Sequence, residues 1–185
     1  MGRIADLRFV SPDAYLEWEN RQPDKHEYLR GEVYAMTGTS QAHVVVNGNL
    51  VMALSQHLRG TRCRVYLPDM KLRIAEADAF FYPDLKVSCD DRDLRAEYAI
   101  EHPVLLAEIL SASTADYDRG TKLTAYLKLP SLKEYALVDP DVRSVELYRR
   151  NPDGTWLLID CAMRGELRLE SIDLTLPLPA LFEGL

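Results

Sequence analysis

A glutamate at position 108 interrupts the apolar run Val104-Leu105-Leu106-Ala107-Glu108-Ile109-Leu110. A run of that kind reads as a strand buried on both faces, where an unpaired carboxylate would cost several kcal/mol. Glu108 therefore faces a cavity, pairs with an arginine or sits at a strand edge, and the cavity is the reading its neighbours favour. Arg64 to Ile74 and Ala79 to Ser88 alternate in polarity around the turn Ala75-Glu76-Ala77-Asp78, which predicts an antiparallel pair. Phe81, Pro83, Leu85 and Val87 share one face, and Tyr82, Asp84, Lys86 and Ser88 the other. In the first strand Met70, Leu72 and Ile74 oppose Asp69, Lys71 and Arg73, so matching the apolar faces brings Asp69, Lys71 and Asp84 together. The solvated side of a hairpin would show the same pattern. Carboxylates gathered in this way can hold a divalent ion, which is one way for an acidic chain to accept a phosphate substrate.

The chain is acidic: 22 Lys and Arg against 29 Asp and Glu give a net charge of −7 over 185 residues. Binding of nucleic acid by bulk charge is disfavoured, and a local basic groove or bound cations would be needed. With 47% hydrophobic and 28% charged residues the composition is globular. The length suggests one domain over residues 1–185, able to bury about 70% of its unfolded surface. No segment approaches a membrane span, and Met1 to Asp6 lacks a hydrophobic leader core, so a soluble, cytoplasmic protein is expected. Cys63, Cys89 and Cys161 are scattered and odd in number, which argues against a disulfide or a cysteine metal site and fits a reducing compartment.

The elements that must position these residues follow from the pattern. Ser11-Pro12-Asp13 caps a short helix through Trp18. Glu27-Tyr28-Leu29 and Val33-Tyr34-Ala35-Met36 flank Arg30-Gly31-Glu32 as a hairpin. His43 to Leu58 carries Val46, Leu50, Leu54 and Leu58 at four-residue spacing and ends near Gly60, a helix. After Val104 to Leu110, Asp118 to Leu129 predicts a helix stopped by Pro130, and Glu134 to Val138 a buried strand parallel to the Val104 strand. Ser144 to Arg149 and Trp156 to Asp160 flank Asn151-Pro152-Asp153-Gly154 as a hairpin. The order predicts an α/β or α+β core of mixed sheet flanked by helices.

Pro83-Asp84 followed by Glu108-Ile109-Leu110 on a buried strand resembles the PD-(D/E)XK nuclease superfamily. His43 to Asn49-Leu50, Tyr82-Pro83-Asp84, Ala107-Glu108-Ile109-Leu110-Ser111, Asp118-Arg119-Gly120-Thr121-Lys122, Tyr126 and Leu129-Pro130-Ser131-Leu132-Lys133-Glu134-Tyr135 together resemble the Uma-two family, from about Ala14 to Phe182. The resemblance implies a restriction endonuclease-like fold, αβββαβ, with its core at about 43–139, an N-terminal hairpin and a C-terminal β extension. It also implies a homodimer. Asp84, Glu108 and the carbonyl of Ile109 would hold Mg²⁺ or Mn²⁺ to activate water against a phosphodiester, with a lysine near the developing charge.

The chain departs from the superfamily at Leu110, where the usual lysine stands. Lys122, on one stripe with Asp118 and Tyr126, resembles a migrated catalytic lysine, with Lys71 in reserve; an i, i+4 pair with Asp118 is the plainer role for Lys122. Lys122→Met is expected to lower cleavage and to leave folding intact. Asp69 and His43 are accessory candidates, although a capping or packing histidine is the commoner case. Ser111-Ala112-Ser113-Thr114 lacks the glycines of a phosphate loop. Arg59, Arg62 and Arg64 form a basic cluster that suits either a phosphate backbone or a soluble surface. The function implied is metal-dependent endonuclease action on DNA. The alternatives are a catalytically silent homodimeric interaction module that retains the fold, and a hydrolase of smaller phosphate esters.

Overall fold

The computed structural model describes residues 2–8, 11–36 and 38–185, the first stretch by its backbone alone. Met1, part of the N-terminus read as leaderless, lies outside the described residues. The chain opens with β1 (Gly2–Arg8), α1 (Pro12–Glu19), β2 (His26–Leu29), β3 (Glu32–Ala35) and α2 (Gln41–His57). There follow β4 (Arg64–Tyr66), β5 (Lys71–Ile74), β6 (Ala79–Phe81), β7 (Leu85–Ser88), α3 (Asp91–Leu94), β8 (Ala99–Ile100) and β9 (Pro103–Ile109). The last part comprises α4 (Ala115–Tyr117), a π-turn (Asp118–Lys122), α5 (Leu123–Tyr126), β10 (Glu134–Asp139), β11 (Ser144–Arg150), β12 (Trp156–Asp160), β13 (Glu166–Leu169), β14 (Leu174–Pro177) and α6 (Leu178–Leu181). The result is a mixed α+β fold: two six-stranded mixed sheets flanked by helices, ordered β1-β3-β2-β6-β5-β8 and β12-β11-β10-β9-β7-β4.

The strand carrying Glu108 behaves as its sequence dictates. Leu105, Ala107 and Ile109 pack into one apolar core with Val46, Leu50 and Leu54 of α2. Leu106 and Leu110 point the other way, into a second core with Phe81, Tyr126 and Tyr135, so Glu108 shares that second, equally buried face. β10 lies parallel to β9, with Leu137 opposite Glu108, as the strand-helix-strand order predicts.

Three expectations are corrected. Arg64 to Ile74 and Ala79 to Ser88 do not form one hairpin: β5 pairs with β6 in one sheet while β4 pairs with β7 in the other. The switch falls where Pro68 and Pro83 stand, two residues that cannot donate to a ladder. The helix expected over Asp118 to Leu129 is a short helix, a π-turn and a further short helix. Cys63 and Cys89 are joined by a disulfide, contrary to the expectation of unpaired thiols. They adjoin the β4–β7 ladder next to the Arg64–Ser88 pair, so pairing the strands brings the sulfurs together. The bond closes a separation of 26 residues, and reduction is expected to cost roughly 3 kcal/mol of stability on chain-entropy grounds. Urea unfolding with and without reductant measures it, and coincident midpoints would contradict it. Among the described residues no helix is long and apolar enough to cross a membrane.

Candidate active site

Where the ladder breaks at Pro83, the first carboxylate is set. Asp84 lies one residue before β7, whose Leu85 pairs with Ala107 of β9. Its Oδ2 accepts from the backbone N–H of Ile109 at 2.8 Å, and its own N–H donates to Glu108 Oε2 at 3.2 Å. Each carboxylate is thus held by the other's strand. His43, N-capped by Ser40 in the first turn of α2, brings Nε2 to 3.0 Å from Asp84 Oδ2. These groups line a pocket of about 50 Å³ with Ser111, Thr114, Asp118 and Lys122.

Behind the pocket Glu108 meets the stripe Asp118, Lys122 and Tyr126. Its Oε1 accepts from Lys122 Nζ at 3.0 Å and from the Tyr126 hydroxyl at 2.7 Å. Lys122 Nζ also lies 3.1 Å from Glu27 Oε1 and 3.2 Å from Asp118 Oδ1, the last without hydrogen-bond geometry. The i, i+4 pair with Asp118 therefore exists, as one of three contacts. The π-turn that carries Asp118 and Lys122 is a rare geometry, and such turns concentrate at functional sites.

Glu27 and Lys86 were not singled out by sequence. Glu27 is fully buried; besides Lys122 it accepts from the N–H of Tyr82 at 3.0 Å, a donor freed by the same ladder break. A signal was available, since Glu27 sits in a short strand beside Tyr28 and Leu29 much as Glu108 sits in its apolar run. Lys86 is also fully buried, donating to the carbonyls of Leu67 and Pro83 at 3.0 and 2.8 Å. It bridges the two points at which the chain changes sheets and pins the turn that presents Asp84.

Asp69 and Lys71 do not join Asp84. Asp69 is exposed and paired with Lys25. Lys71 Nζ approaches Asn20 Oδ1 at 3.4 Å and lies over the Tyr82 ring, 5.6 Å from its centroid. Both belong to the β5 side of the ladder break, so the matched faces assumed for one hairpin never form. Arg59, Arg62 and Arg64 lie past the far end of α2, roughly 20 Å of helix from His43. The hydroxyls of Ser111 and Thr114 bond to each other at 3.0 Å in the connection after β9.

Three carboxylates, Glu27, Glu108 and Asp118, thus contact Lys122, with Asp84 bonded across to the Glu108 strand and Lys86 held nearby by backbone carbonyls. Burial pushes the Glu108 carboxyl up, against the pull of Lys122 and with the help of Asp118, Asp84 and Glu27, to about 8. Burial alone would lower Lys122, but Glu108, Glu27 and Asp118 outweigh it and hold the ammonium well above its ordinary value. Both shifts are upward because one lysine faces three carboxylates: the lysine stays charged and the cluster retains a proton. Lys86 is pushed down to about 7, by burial above all, with Glu108 and Asp84 opposing.

These donors fit a small hard cation. Asp84, Glu108 and the Ile109 carbonyl offer oxygen ligands, and the buried Glu27 Oε2 and Asp118 Oδ1 lack hydrogen-bond donors, marking a surplus of negative charge. Among the described residues no three His, Cys, Asp or Glu side chains converge as a ready-made cage. The donor set is that of an ion which keeps several of its waters.

Comparison with known proteins agrees with this architecture. Residues 12–183 match the Uma2 family model, described as "Putative restriction endonuclease". The uncharacterized protein slr1290 of Synechocystis sp. (strain ATCC 27184 / PCC 6803 / Kazusa) is 39% identical over 176 residues, covering 95% of this chain and 93% of that protein. A second from the same strain, sll1609, is 31% identical over 159 residues, covering 85% and 90%. A crystal structure from Anabaena variabilis ATCC 29413, described as a "putative nuclease belonging to DUF820", superposes with a TM-score of 0.76 at 21% identity, covering 94% of this chain and 98% of that one. At that identity the likeness is one of fold. With nearly the whole length matched by the family model, the chain belongs to the Uma2 family.

Proposed function

We propose that this protein is a divalent-metal-dependent endonuclease that hydrolyses phosphodiester bonds of DNA as a homodimer. The observation that carries the reading is the pair Asp84 and Glu108, locked across adjacent strands at the mouth of a pocket with surplus buried negative charge. Asp84, Glu108 and the Ile109 carbonyl would hold Mg²⁺ or Mn²⁺, which supplies a polarised phosphate and an activated water. Lys122 stands in for the missing lysine at Leu110 and offsets charge developing on the phosphate. Glu108, Asp118 and Glu27 fix that ammonium, Tyr126 holds the Glu108 oxygen that meets it, and His43 orients Asp84. Lys71 and Asp69 have no part in it.

The silent interaction module is favoured by two features. Leu110 is packed into the second core, and both Glu108 oxygens are engaged by protein donors. Nicking of supercoiled plasmid with Mg²⁺ or Mn²⁺ decides between them. The parent is expected to nick and Asp84→Ala to lose activity by about 10²-fold or more. A parent that never nicks, or an Asp84→Ala protein that nicks equally, overturns the reading.

A further inference from the structure

Hydrolysis leaves one reactive pair in the molecule unused. Cys63 and Cys89 are joined at the opposite end of β7 from Asp84, and both are half-buried, so a reductant can reach the bond. Cys161 takes no part: it is 1% exposed, and burial above all pushes its thiol up to about 11, away from the thiolate form that reacts.

The bond is coupled to the carboxylates through β4. That strand is three residues long, stands at the edge of its sheet and pairs with β7 alone among the described residues. Its remaining hydrogen bonds run from the Arg64 guanidinium to the Leu94 carbonyl and from the Tyr66 hydroxyl to the Asp93 carbonyl, both 3.1 Å and neither fully buried. A strand at the lower limit of length holds its place weakly. The disulfide staples its first end, since Cys63 precedes Arg64 and Cys89 follows Ser88, the residue opposite Arg64.

At its other end Tyr66 pairs with Lys86, and the carbonyl of the next residue, Leu67, accepts from Lys86 Nζ at 3.0 Å. The same ammonium donates to the Pro83 carbonyl at 2.8 Å. Lys86 is fully buried, so an acceptor that moves away is not replaced by water without opening the structure. Asp84 follows Pro83 directly, its N–H on Glu108 and its Oδ2 on the Ile109 N–H. Disulfide, β4, Lys86 and the Asp84 turn therefore form an unbroken chain of bonds over five residues of β7, roughly 17 Å at about 3.4 Å each.

We propose that Cys63 and Cys89 form a reversible dithiol–disulfide site whose oxidised form holds β4 on β7 and, through Lys86, keeps Asp84 set against Glu108. The reductant is a dithiol. One of its thiolates attacks a sulfur of the pair and expels the other as thiolate; its second thiolate then attacks the mixed disulfide and releases the remaining cysteine. The two cysteines take up the two protons the dithiol gives up, and the dithiol leaves as a disulfide. As regulation of the carboxylate pair, the device rests on the nuclease reading above.

The test compares the full chain before and after dithiothreitol, with amide hydrogen exchange followed by NMR and with plasmid nicking in Mg²⁺. On reduction the Asp84 and Ile109 amides should exchange about tenfold faster, the scale of one lost hydrogen bond to a charged group, and recover on reoxidation. Nicking should fall by a similar factor. The Cys161 amide, bonded to the Val145 carbonyl at 2.9 Å at the opposite edge of the same sheet, should not respond. Cys63→Ser/Cys89→Ser should match the reduced chain and ignore dithiothreitol. In Lys86→Met the Asp84 amide should exchange fast in both redox states, because the link is already cut. Asp84 and Ile109 amides unmoved by reduction, a Cys161 amide that moves equally, or unchanged nicking by an active parent each overturn the device. An undiminished response in Lys86→Met overturns the route through the lysine. Amides that respond in a protein that never nicks leave the redox site standing and remove the nuclease reading.

Discussion

Lys122→Met is expected to lose about 3–5 kcal/mol of stability as well as its nicking activity, because removing one partner from a buried ionic cluster strands the charges left behind. Lys122 is 5% exposed and lies within 3.2 Å of Glu27, Glu108 and Asp118. Without it three buried carboxylates face one another and must take up protons or open to water. This revises the expectation that the substitution would leave folding intact, which counted Asp118 and Glu108 but not Glu27. Urea unfolding measures the loss as a lowered midpoint at constant slope. Adding Glu27→Gln to Lys122→Met should recover part of the stability, since it removes one stranded charge; such coupling is the signature of residues in direct contact. It should not recover nicking, which needs the cation. A Lys122→Met protein as stable as the parent would show that the cluster is not the buried network described here.

Apparent Mn²⁺ affinity should rise about tenfold per pH unit between pH 6 and 8, close to a hundredfold in all, and level off above, because the ion must displace a proton from the carboxylate cluster. Glu108, pushed up mainly by burial to about 8, holds that proton when no ion is bound. Lys86, pushed down to about 7, loses its charge over the same interval and removes a repulsion. The sign for stability is the reverse. A carboxyl raised above its unfolded value adds stability that is complete below about pH 4.5 and lost as pH rises through 8. The metal-free protein should therefore weaken from about pH 4.5 toward pH 7, above which the lowered Lys86 contributes with the opposite sign, and Mn²⁺ should restore stability most at the upper end of the range. Calorimetric titration at pH 6 and pH 8 decides the matter. Equal affinities at both would mean that the cluster carries no displaceable proton.

Much of the fold could be read from local pattern. The apolar run around Glu108, the four-residue spacing of Val46, Leu50 and Leu54, and the turn residues of the two hairpins each report a period or a backbone requirement that acts within a few residues. Such signals locate an element and say which of its faces is buried. They placed Glu108 on a doubly covered strand, whereas Asp84, read as lying within a strand from Ala79 to Ser88, stands in the turn just before β7. They also put Lys122 on a stripe with Asp118 and Tyr126, and all three of these side chains reach the Glu108 carboxylate or its lysine.

What local pattern does not report is which distant segment supplies the missing partner. Alternation in Arg64 to Ile74 and Ala79 to Ser88 suits one long hairpin as well as two short pairings in different sheets. Only the packing of the sheets selects the second, with Pro68 and Pro83 as the one local hint. That choice frees the N–H groups of Tyr82 and Asp84 for Glu27 and Glu108, carries Asp69 and Lys71 away from the site, and brings Cys63 against Cys89. Sequence by itself determined the residue types, the burial of Glu108 and the helix and strand order, because these follow from short-range sterics and hydrophobic period. The tertiary structure alone decided that Lys122 serves three carboxylates and that Lys86 pins the Asp84 turn, because a buried charge is satisfied by whatever the whole chain folds against it.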